Sequence, residues 1–161
     1  MSNKITLDRI DRNILIEMQT NARITNKALA EKVGLSPSPC LQRVRRLEKL
    51  ALIGPYHARI DLDQLCRYVE VMATVTLRDH DSSVFLTFEG IVGRIPEVTE
   101  CVKLSGTFDY LVRFICADIQ HYHTVSDDIL QALSGKVHFA SHVVLDRTKE
   151  PSGAPLETLL Q

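Results

Sequence analysis

The sequence has no long apolar run, either in its interior or at its beginning. A membrane-spanning helix needs about 20 consecutive apolar residues, and no stretch of the 161-residue chain comes near that length. The first residues also lack the apolar stretch of a secretory signal peptide. Both absences predict a cytoplasmic protein that does not associate with a membrane.

Cysteines are few and widely spaced: Cys40, Cys66, Cys101 and Cys116. There is no Cys-x-x-Cys pair, and no histidine lies at a zinc-ligand interval from a cysteine. We therefore expect buried free thiols, with neither a metal site nor a disulfide framework. No motif predicts a cofactor.

Acidic residues are scarce in the first 60 positions, which hold 11 Lys and Arg against 5 Asp and Glu, a net charge of +6. The rest of the chain holds 8 and 15, a net charge of −7. A basic region attracts the phosphates of nucleic acid, and an acidic region is repelled by them. The sequence thus predicts two domains of opposite charge, of which only the first touches nucleic acid.

Residues 36–50 predict a helix with one apolar and one basic side. Ser36 suits the N-cap, and Pro37 suits the first helical position, where a missing N–H costs nothing. At about 100° per residue, the apolar stripe contains Cys40, Leu41, Val44, Leu47 and Ala51. The other side carries Ser38, Gln42, Arg46 and Lys49, with Arg43 and Arg45 at its margins. Such a helix in isolation is more often a solvated surface helix than a binding element.

The preceding segment favours binding. Residues 26–33 form a second amphipathic segment, with Thr25 as its N-cap and Gly34 where a left-handed residue ends a helix. Helix, glycine turn and helix together predict a DNA-binding helix-turn-helix. In its second helix we expect Leu41 and Val44, rather than Cys40 and Arg43, to supply the core contacts.

A further helix and a wing complete the first domain, which we place at residues 1–66 with its linker. Apolar residues at helical spacing predict the helix from about Asp8, as N-cap, to Gln19. Residues 52–60 predict a wing or a short strand.

The residues expected to contact double-stranded operator DNA lie at the two helices of the motif. Gln42, Arg43, Arg45 and Arg46 would reach the major groove or the flanking phosphates. Ser36, Ser38 and the helix N-terminus would hold a backbone phosphate. Asn26 and Lys27 would add phosphate contacts.

The second domain, residues 67–161 with the C-terminal tail, shows alternating and helical segments in turn. Strands are predicted at 69–77, 98–104, 110–116 and 137–145, and helices at 82–95 and 119–133. This order is the ferredoxin-like βαββαβ arrangement of an α+β fold, an antiparallel sheet with two helices on one face. The second face, too apolar for water, would carry Met72, Thr74, Cys101, Arg113, Ala140 and Val144. Either a second copy of the chain or the linker or tail, with Leu156, Leu159 and Leu160, covers that face.

The whole chain resembles the Lrp/AsnC, or feast/famine, bacterial transcription regulators. The resemblance rests on residues 7–11 (Leu-Asp-Arg-Ile-Asp), residues 34–40 (Gly-Leu-Ser-Pro-Ser-Pro-Cys), residues 43–48 and residues 106–110 (Gly-Thr-Phe-Asp-Tyr). It implies a winged helix-turn-helix joined to an ACT-like domain that senses a small effector, typically an amino acid. It also implies homodimers formed through the sheets and assembly into octamers.

The resemblance further implies an effector site between neighbouring dimers, around the hairpin and the adjoining strands. Matched by motif, its residues are Leu104, Gly106, Asp109, Tyr110, Ile119, His142 and Val143. Asp109 would hold a ligand ammonium group, and backbone N–H groups of the hairpin would hold a carboxylate. From the residues alone, Gly106 and Asp109 serve the turn just as well.

Two other functions use related architectures. Sirohaem decarboxylases are similar in both domains, and His121, His123, His138 and His142 would be candidates for a tetrapyrrole site. Against an enzyme stand the low aromatic content, 6%, and the intact basic helix. An effector-binding module that only modifies a partner would lack the basic domain. The sequence therefore favours a regulator that is not an enzyme.

Overall fold

The computed structural model describes residues 5–79 and 81–160. The helices are α1 (Arg9–Thr20), α2 (Asn26–Val33), α3 (Pro37–Lys49), α4 (Ser82–Val92), α5 (Ile119–Ala132) and α6 (Leu156–Leu159). The strands are β1 (Val69–Leu77), β2 (Val98–Lys103), β3 (Tyr110–Cys116) and β4 (Val137–Val143). The chain forms two compact units, one running through Arg59 together with the residues from Lys149 onward, the other Ile60–Thr148.

Three helices and the C-terminal tail build the first unit. Asp8 caps α1 by accepting a hydrogen bond from Asp11 N at 2.8 Å. The core between the helices consists of Ile14, Leu29, Ala30, Val33, Cys40, Val44 and Leu47. Such a small apolar cluster gives a 60-residue domain only marginal stability, so additional contacts matter here.

The C-terminal tail supplies such contacts. α6 packs on α1, Arg12 Nη1 donates to Leu160 O at 2.6 Å, and Gln19 Nε2 donates to Ala154 O at 2.8 Å. The tail therefore belongs with the first unit, and the unit boundary lies at residues 59/60. The predicted domain limits, 1–66 and 67–161, differ in the position of the boundary and in the assignment of the tail. The tail was misassigned because a short segment with scattered leucines shows no periodicity that reveals where it packs.

The second unit contains an antiparallel sheet of order β2-β3-β1-β4. Residues of β1 at odd positions, Val71 to Leu77, are fully buried beneath α4 and α5. Phe88 of α4 packs on Tyr110 of β3, with ring centroids 4.7 Å apart, and Tyr122 of α5 packs on Phe114 at 5.3 Å. The predicted ferredoxin-like arrangement is confirmed.

Four expectations about this fold are wrong. The described residues between α3 and β1 contain no strand, so the predicted wing or short strand at 52–60 is missing. Pro55 lacks a donor N–H, and none of the four described strands pairs with this segment. Cys101 lies opposite the buried Val112, on the face of the helices, because a register shift in β2 between Val98 and Glu100 reverses its side. Cys66 and Cys101 are exposed thiols, since they lie outside the packed elements or on an edge strand.

The fourth error concerns the register of α3. Cys40 and Leu47 are fully buried, whereas Leu41 is 38% exposed. Positions 40, 44 and 47 form one stripe at helical spacing, and this stripe faces the core. Leu41 therefore lies at its edge, and Ala51 falls beyond the end of the helix, with a positive φ of 55°.

Candidate functional sites

The turn between α2 and α3 is built by local hydrogen bonds. Thr25 caps α2 by accepting from Ala28 N at 3.2 Å. Gly34 ends it at φ 72°, a left-handed conformation that a side chain disfavours. Leu35 N then donates to Ala30 O at 2.9 Å, which closes the turn and sends the chain directly into α3.

Helix α3 presents a polar side to solvent. Ser36 occupies the N-cap with extended backbone angles, and Pro37 follows at the first helical position. The hydroxyl of Ser36 makes no capping hydrogen bond. Six of the predicted DNA contacts are exposed: Lys27, Ser36, Ser38, Gln42, Arg45 and Arg46. Together they place donors around the start and outer side of α3, an arrangement suited to phosphate and base contacts.

Asn26, another predicted phosphate contact, is half-buried and has an internal partner. Its Nδ2 donates to the carbonyl oxygen of Pro37 at 2.8 Å. Asn26 thus ties the first turn of α2 to the first turn of α3. The structure gives this side chain a role in holding the motif together.

Arg43, also predicted to contact DNA, is bound by two carboxylates of α1. Its Nη1 donates to Asp8 Oδ2 at 2.6 Å and to Asp11 Oδ1 at 2.8 Å. Arg46 Nη1 donates to Asp11 Oδ2 at 3.0 Å. The N–H of Asp11 and the guanidinium of Arg43 lower the pKa of Asp8, while Asp8 and Asp11 raise the pKa of Arg43. The sequence suggested Asp8 only as a cap and gave Asp11 no role beyond its helix.

In the second unit the predicted hairpin residues hold their own turn. Leu104 N donates to Asp109 O at 2.8 Å, and Asp109 N donates to Val75 O at 2.8 Å. The carboxylate of Asp109 accepts from Leu77 N at 2.7 Å. Gly106 has a φ of 143°, which only glycine adopts readily. The hairpin is therefore pinned to the end of β1, with Leu104 and Gly106 exposed.

Tyr110 lies in the interior. Its ring packs against the rings of Phe85 and Phe88, and its hydroxyl donates to Glu89 Oε1 at 2.6 Å. Burial and the Glu89 carboxylate raise the pKa of Tyr110. The same hydrogen bond, with Lys103, lowers the pKa of Glu89. Tyr110 thus anchors the end of the hairpin in the core of the second unit.

The remaining predicted effector residues lie at the other end of the sheet. His142 and Val143 pair with Met72 and Val71 near the start of β1, and Ile119 opens α5 after β3 ends. Met72 lies five positions along β1 from Leu77, whose N–H donates to Asp109. At about 3.4 Å per residue this is roughly 17 Å. One copy of the chain does not bring the two groups together.

Within residues 5–79 and 81–160, no helix has the length and apolar character needed to cross a membrane. The same residues contain no group of three or more His, Cys, Asp or Glu side chains placed to hold a metal ion.

Two family models match different parts of the chain. An AsnC-type helix-turn-helix domain matches residues 7–48, and an Lrp/AsnC ligand binding domain matches residues 70–154. The helix-turn-helix match covers α1, α2 and nearly all of α3. The residues of α6 lie beyond both matches.

Curated proteins and solved structures agree with these matches. The chain is 40% identical over 148 residues to the transcriptional regulatory protein DoeX of Halomonas elongata, covering 92% of this chain and 94% of that protein. It is 38% identical over 152 residues to the leucine-responsive regulatory protein of Escherichia coli, covering 94% and 93%. A Neisseria meningitidis transcriptional regulator, crystallised as an L-Met complex, superposes with a TM-score of 0.86 at 32% identity, covering 96% of this chain and 99% of that one.

Proposed function

Since the chain belongs to the Lrp/AsnC family of transcriptional regulators, we propose that it binds specific operator sequences through α3 and that an amino acid controls this binding. The observation that carries the first half is the exposed polar side of α3, behind a turn closed by Gly34. A helix presented in this way fits the major groove of double-stranded DNA. The protein acts in the cytoplasm, where its operator is found.

The DNA contacts divide by what each side chain already binds. Gln42, Arg45 and Arg46 are exposed on the outer side of α3 and form the base-reading and phosphate-binding set. Ser36 and Ser38, with the backbone N–H of Ser38, hold a phosphate, and Lys27 adds a second phosphate contact. Asn26 and Arg43 support the motif instead, because Asn26 Nδ2 donates to Pro37 O and Arg43 Nη1 donates to two carboxylates of α1.

The effector is an amino acid bound between copies of the chain. A related regulator of Neisseria meningitidis was crystallised with L-Met, which supports this ligand class. The predicted contacts lie at opposite ends of one sheet, so a site that uses both groups takes the hairpin of one copy and the β4 end of another. Leu104, Gly106, Ile119, His142 and Val143 would contact the ligand, with Asp109 and Tyr110 fixing the hairpin.

Such a site requires a second copy of the chain, and we propose a homodimer that assembles into an octamer. The open sheet face carries Met72, Thr74 and Ala140, which are only partly exposed. The tail, which with the linker was the alternative cover, makes its contacts with α1. A second copy is therefore the preferred cover for this face. Light scattering separates a dimer from an octamer by mass.

Thermal unfolding of the full chain against each of the twenty amino acids tests the sensing function. A ligand at 100 times its dissociation constant stabilises a protein by about 2.7 kcal/mol, so the effector raises Tm while the other amino acids leave it unchanged. If none of the twenty raises Tm, amino-acid sensing is wrong. DNA binding is tested separately, by enrichment of a defined duplex from a randomised library.

A further inference from the structure

A buried carboxylate lies where α1 meets α3. Asp11 is 1% exposed, yet both of its side-chain oxygens bind arginines of the next helix but one. Oδ1 accepts from Arg43 Nη1 at 2.8 Å, and Oδ2 accepts from Arg46 Nη1 at 3.0 Å. Because Arg43 and Arg46 are one helical turn apart, a single carboxylate holds both.

The start of α1 fixes this carboxylate in place. Asp11 N donates to Asp8 Oδ1 at 2.8 Å, and Asp8 N donates back to Asp11 Oδ2 at 3.4 Å. This reciprocal capping box locks the first turn of the helix. Asp8 also binds Arg43 at 2.6 Å. The Asp11 side chain cannot rotate without losing bonds at the cap and at α3 together.

The two arginines are left in different states. Arg43 is shared between two carboxylates, and 30% of its side chain is exposed. Arg46 binds one carboxylate, and 49% of its side chain is exposed. A guanidinium group has five N–H donors, so Arg46 retains enough of them for a two-donor contact to a guanine or for a phosphate.

Stability is a weak reason for a buried charge at this contact. The desolvation of a buried ion pair offsets most of its Coulomb attraction, and an apolar side chain of similar volume would pack the two helices as well. What a carboxylate adds is direction, because it orients the guanidinium groups that it binds.

We propose that Asp11 is a positioning residue for DNA recognition. It holds the guanidinium of Arg46 in the orientation in which α3 presents it to the operator. It keeps Arg43 as a brace between α1 and α3 and out of contact with DNA. This inference rests on the proposed function and deepens it by separating the arginine that reads from the arginine that supports.

The test uses the full chain and a duplex that the wild-type protein enriches from a randomised library. Fluorescence anisotropy measures the affinity for that duplex and for a scrambled duplex of the same composition. Asp11→Asn keeps the shape of the side chain but removes its charge and one of its two acceptor oxygens, while Arg43 keeps its bond to Asp8. The ratio of the two affinities is expected to fall about tenfold, the loss expected for one misplaced base contact.

Glu17→Gln is the matched control. Glu17 also lies on α1 and forms an ion pair, at 2.5 Å with Lys32 of α2. Its substitution changes the net charge by the same amount without touching α3. The affinity ratio of this variant should stay within about twofold of the wild-type ratio, because added charge alone acts on both duplexes alike.

A second variant tests the brace. Arg43→Gln should lower the affinity ratio but leave the slope of log affinity against log salt concentration unchanged. If Arg43 contacted a phosphate, its loss would reduce that slope by about 0.9, and the brace would be refuted. The salt slope of Arg43→Gln also tests the proposal if far-UV circular dichroism shows that Asp11→Asn does not fold.

The outcomes separate the two proposals. Equal losses of discrimination in Asp11→Asn and Glu17→Gln, or no loss in Asp11→Asn, overturn the positioning role and leave DNA binding standing. If the wild-type protein enriches no duplex at all, the proposed function and the positioning role fall together.

Discussion

In each unit of the molecule a buried carboxylate binds two arginines, but the two pairs of arginines differ in their structural role. In the first unit Asp11 holds Arg43 and Arg46 on an exposed helix. In the second, Glu70 is 6% exposed and holds Arg113 at 2.7 Å and, in addition, Arg147. The first arrangement points a guanidinium group toward solvent, whereas the second ties β1, β3 and the chain after β4 to one another. The same chemical group thus presents a charge in one place and joins strands in the other.

The cores of the two units differ in the same sense. The second unit packs four buried aromatic rings, Phe88, Tyr110, Phe114 and Tyr122, between its helices and its sheet. The core of the first unit has no aromatic residue and gains its extra contacts from α6. We therefore expect substitutions in the first unit to change mainly the affinity for DNA, and substitutions in the second unit to change mainly the free energy of unfolding.

The largest effect is expected at the carboxylate of the second unit. Arg113→Met should lower the free energy of unfolding by about 3 kcal/mol at pH 7, because a buried carboxylate loses one of its two partners. Urea denaturation measures the change. Lys136→Met is the control, since its surface pair with Asp79 at 3.5 Å contributes less than about 1 kcal/mol. Equal losses in both variants would contradict a special role for Glu70.

The pH dependence of that loss identifies the group responsible. Burial acts to raise the pKa of Glu70, but Arg113 and Arg147 outweigh it and lower the pKa below the ordinary value of 4.5. A lowered carboxyl pKa contributes stability above the unfolded-state pKa, and this contribution is lost as pH falls through the folded-state pKa. The difference between wild type and Arg113→Met should therefore narrow as the pH falls below 4.5. A constant difference at every pH would exclude Glu70.

A smaller effect, and one on binding, is expected at the carboxylate of the first unit. Arg46→Ala should weaken binding to the enriched duplex by about 1 to 3 kcal/mol if Arg46 reads a guanine. A gel-shift titration measures the affinity. Unchanged affinity and salt dependence would remove Arg46 from the DNA contacts.

The smallest effect is expected in the tail of the first unit. A methyl group at Gly153 would overlap the side chain of Gln19 and displace the amide that donates to Ala154. Gly153→Ala should therefore lower the stability of the first unit by about 1 kcal/mol, the value of one hydrogen bond. At Gly54 an added Cβ meets nothing within 4 Å, so Gly54→Ala is the matched control. If thermal unfolding shows the same Tm for both variants, the packing of the tail does not support this unit.

Local signals in the sequence predicted most of the fold. The limits of α2, β1 and β3 were predicted at their observed residues, because caps and strand alternation are set by neighbours in the chain. The side of Cys101 was not, since a register shift is a property of two paired strands. Asp11 and Arg43 lie 32 positions apart, beyond the reach of any helical or strand period. For the same reason, the sequence predicted basic residues on α3 but not which of them an acidic partner holds.

The aromatic rings are so unevenly distributed that spectroscopic methods based on them report on only one of the two units. The chain has no tryptophan, and Tyr56 is the one aromatic residue that falls within the sequence of the first unit. Near-ultraviolet circular dichroism therefore reports almost entirely on the second unit. The helices of the first unit can unfold while that signal stays constant. An unchanged near-ultraviolet spectrum is therefore no proof that the first unit is folded.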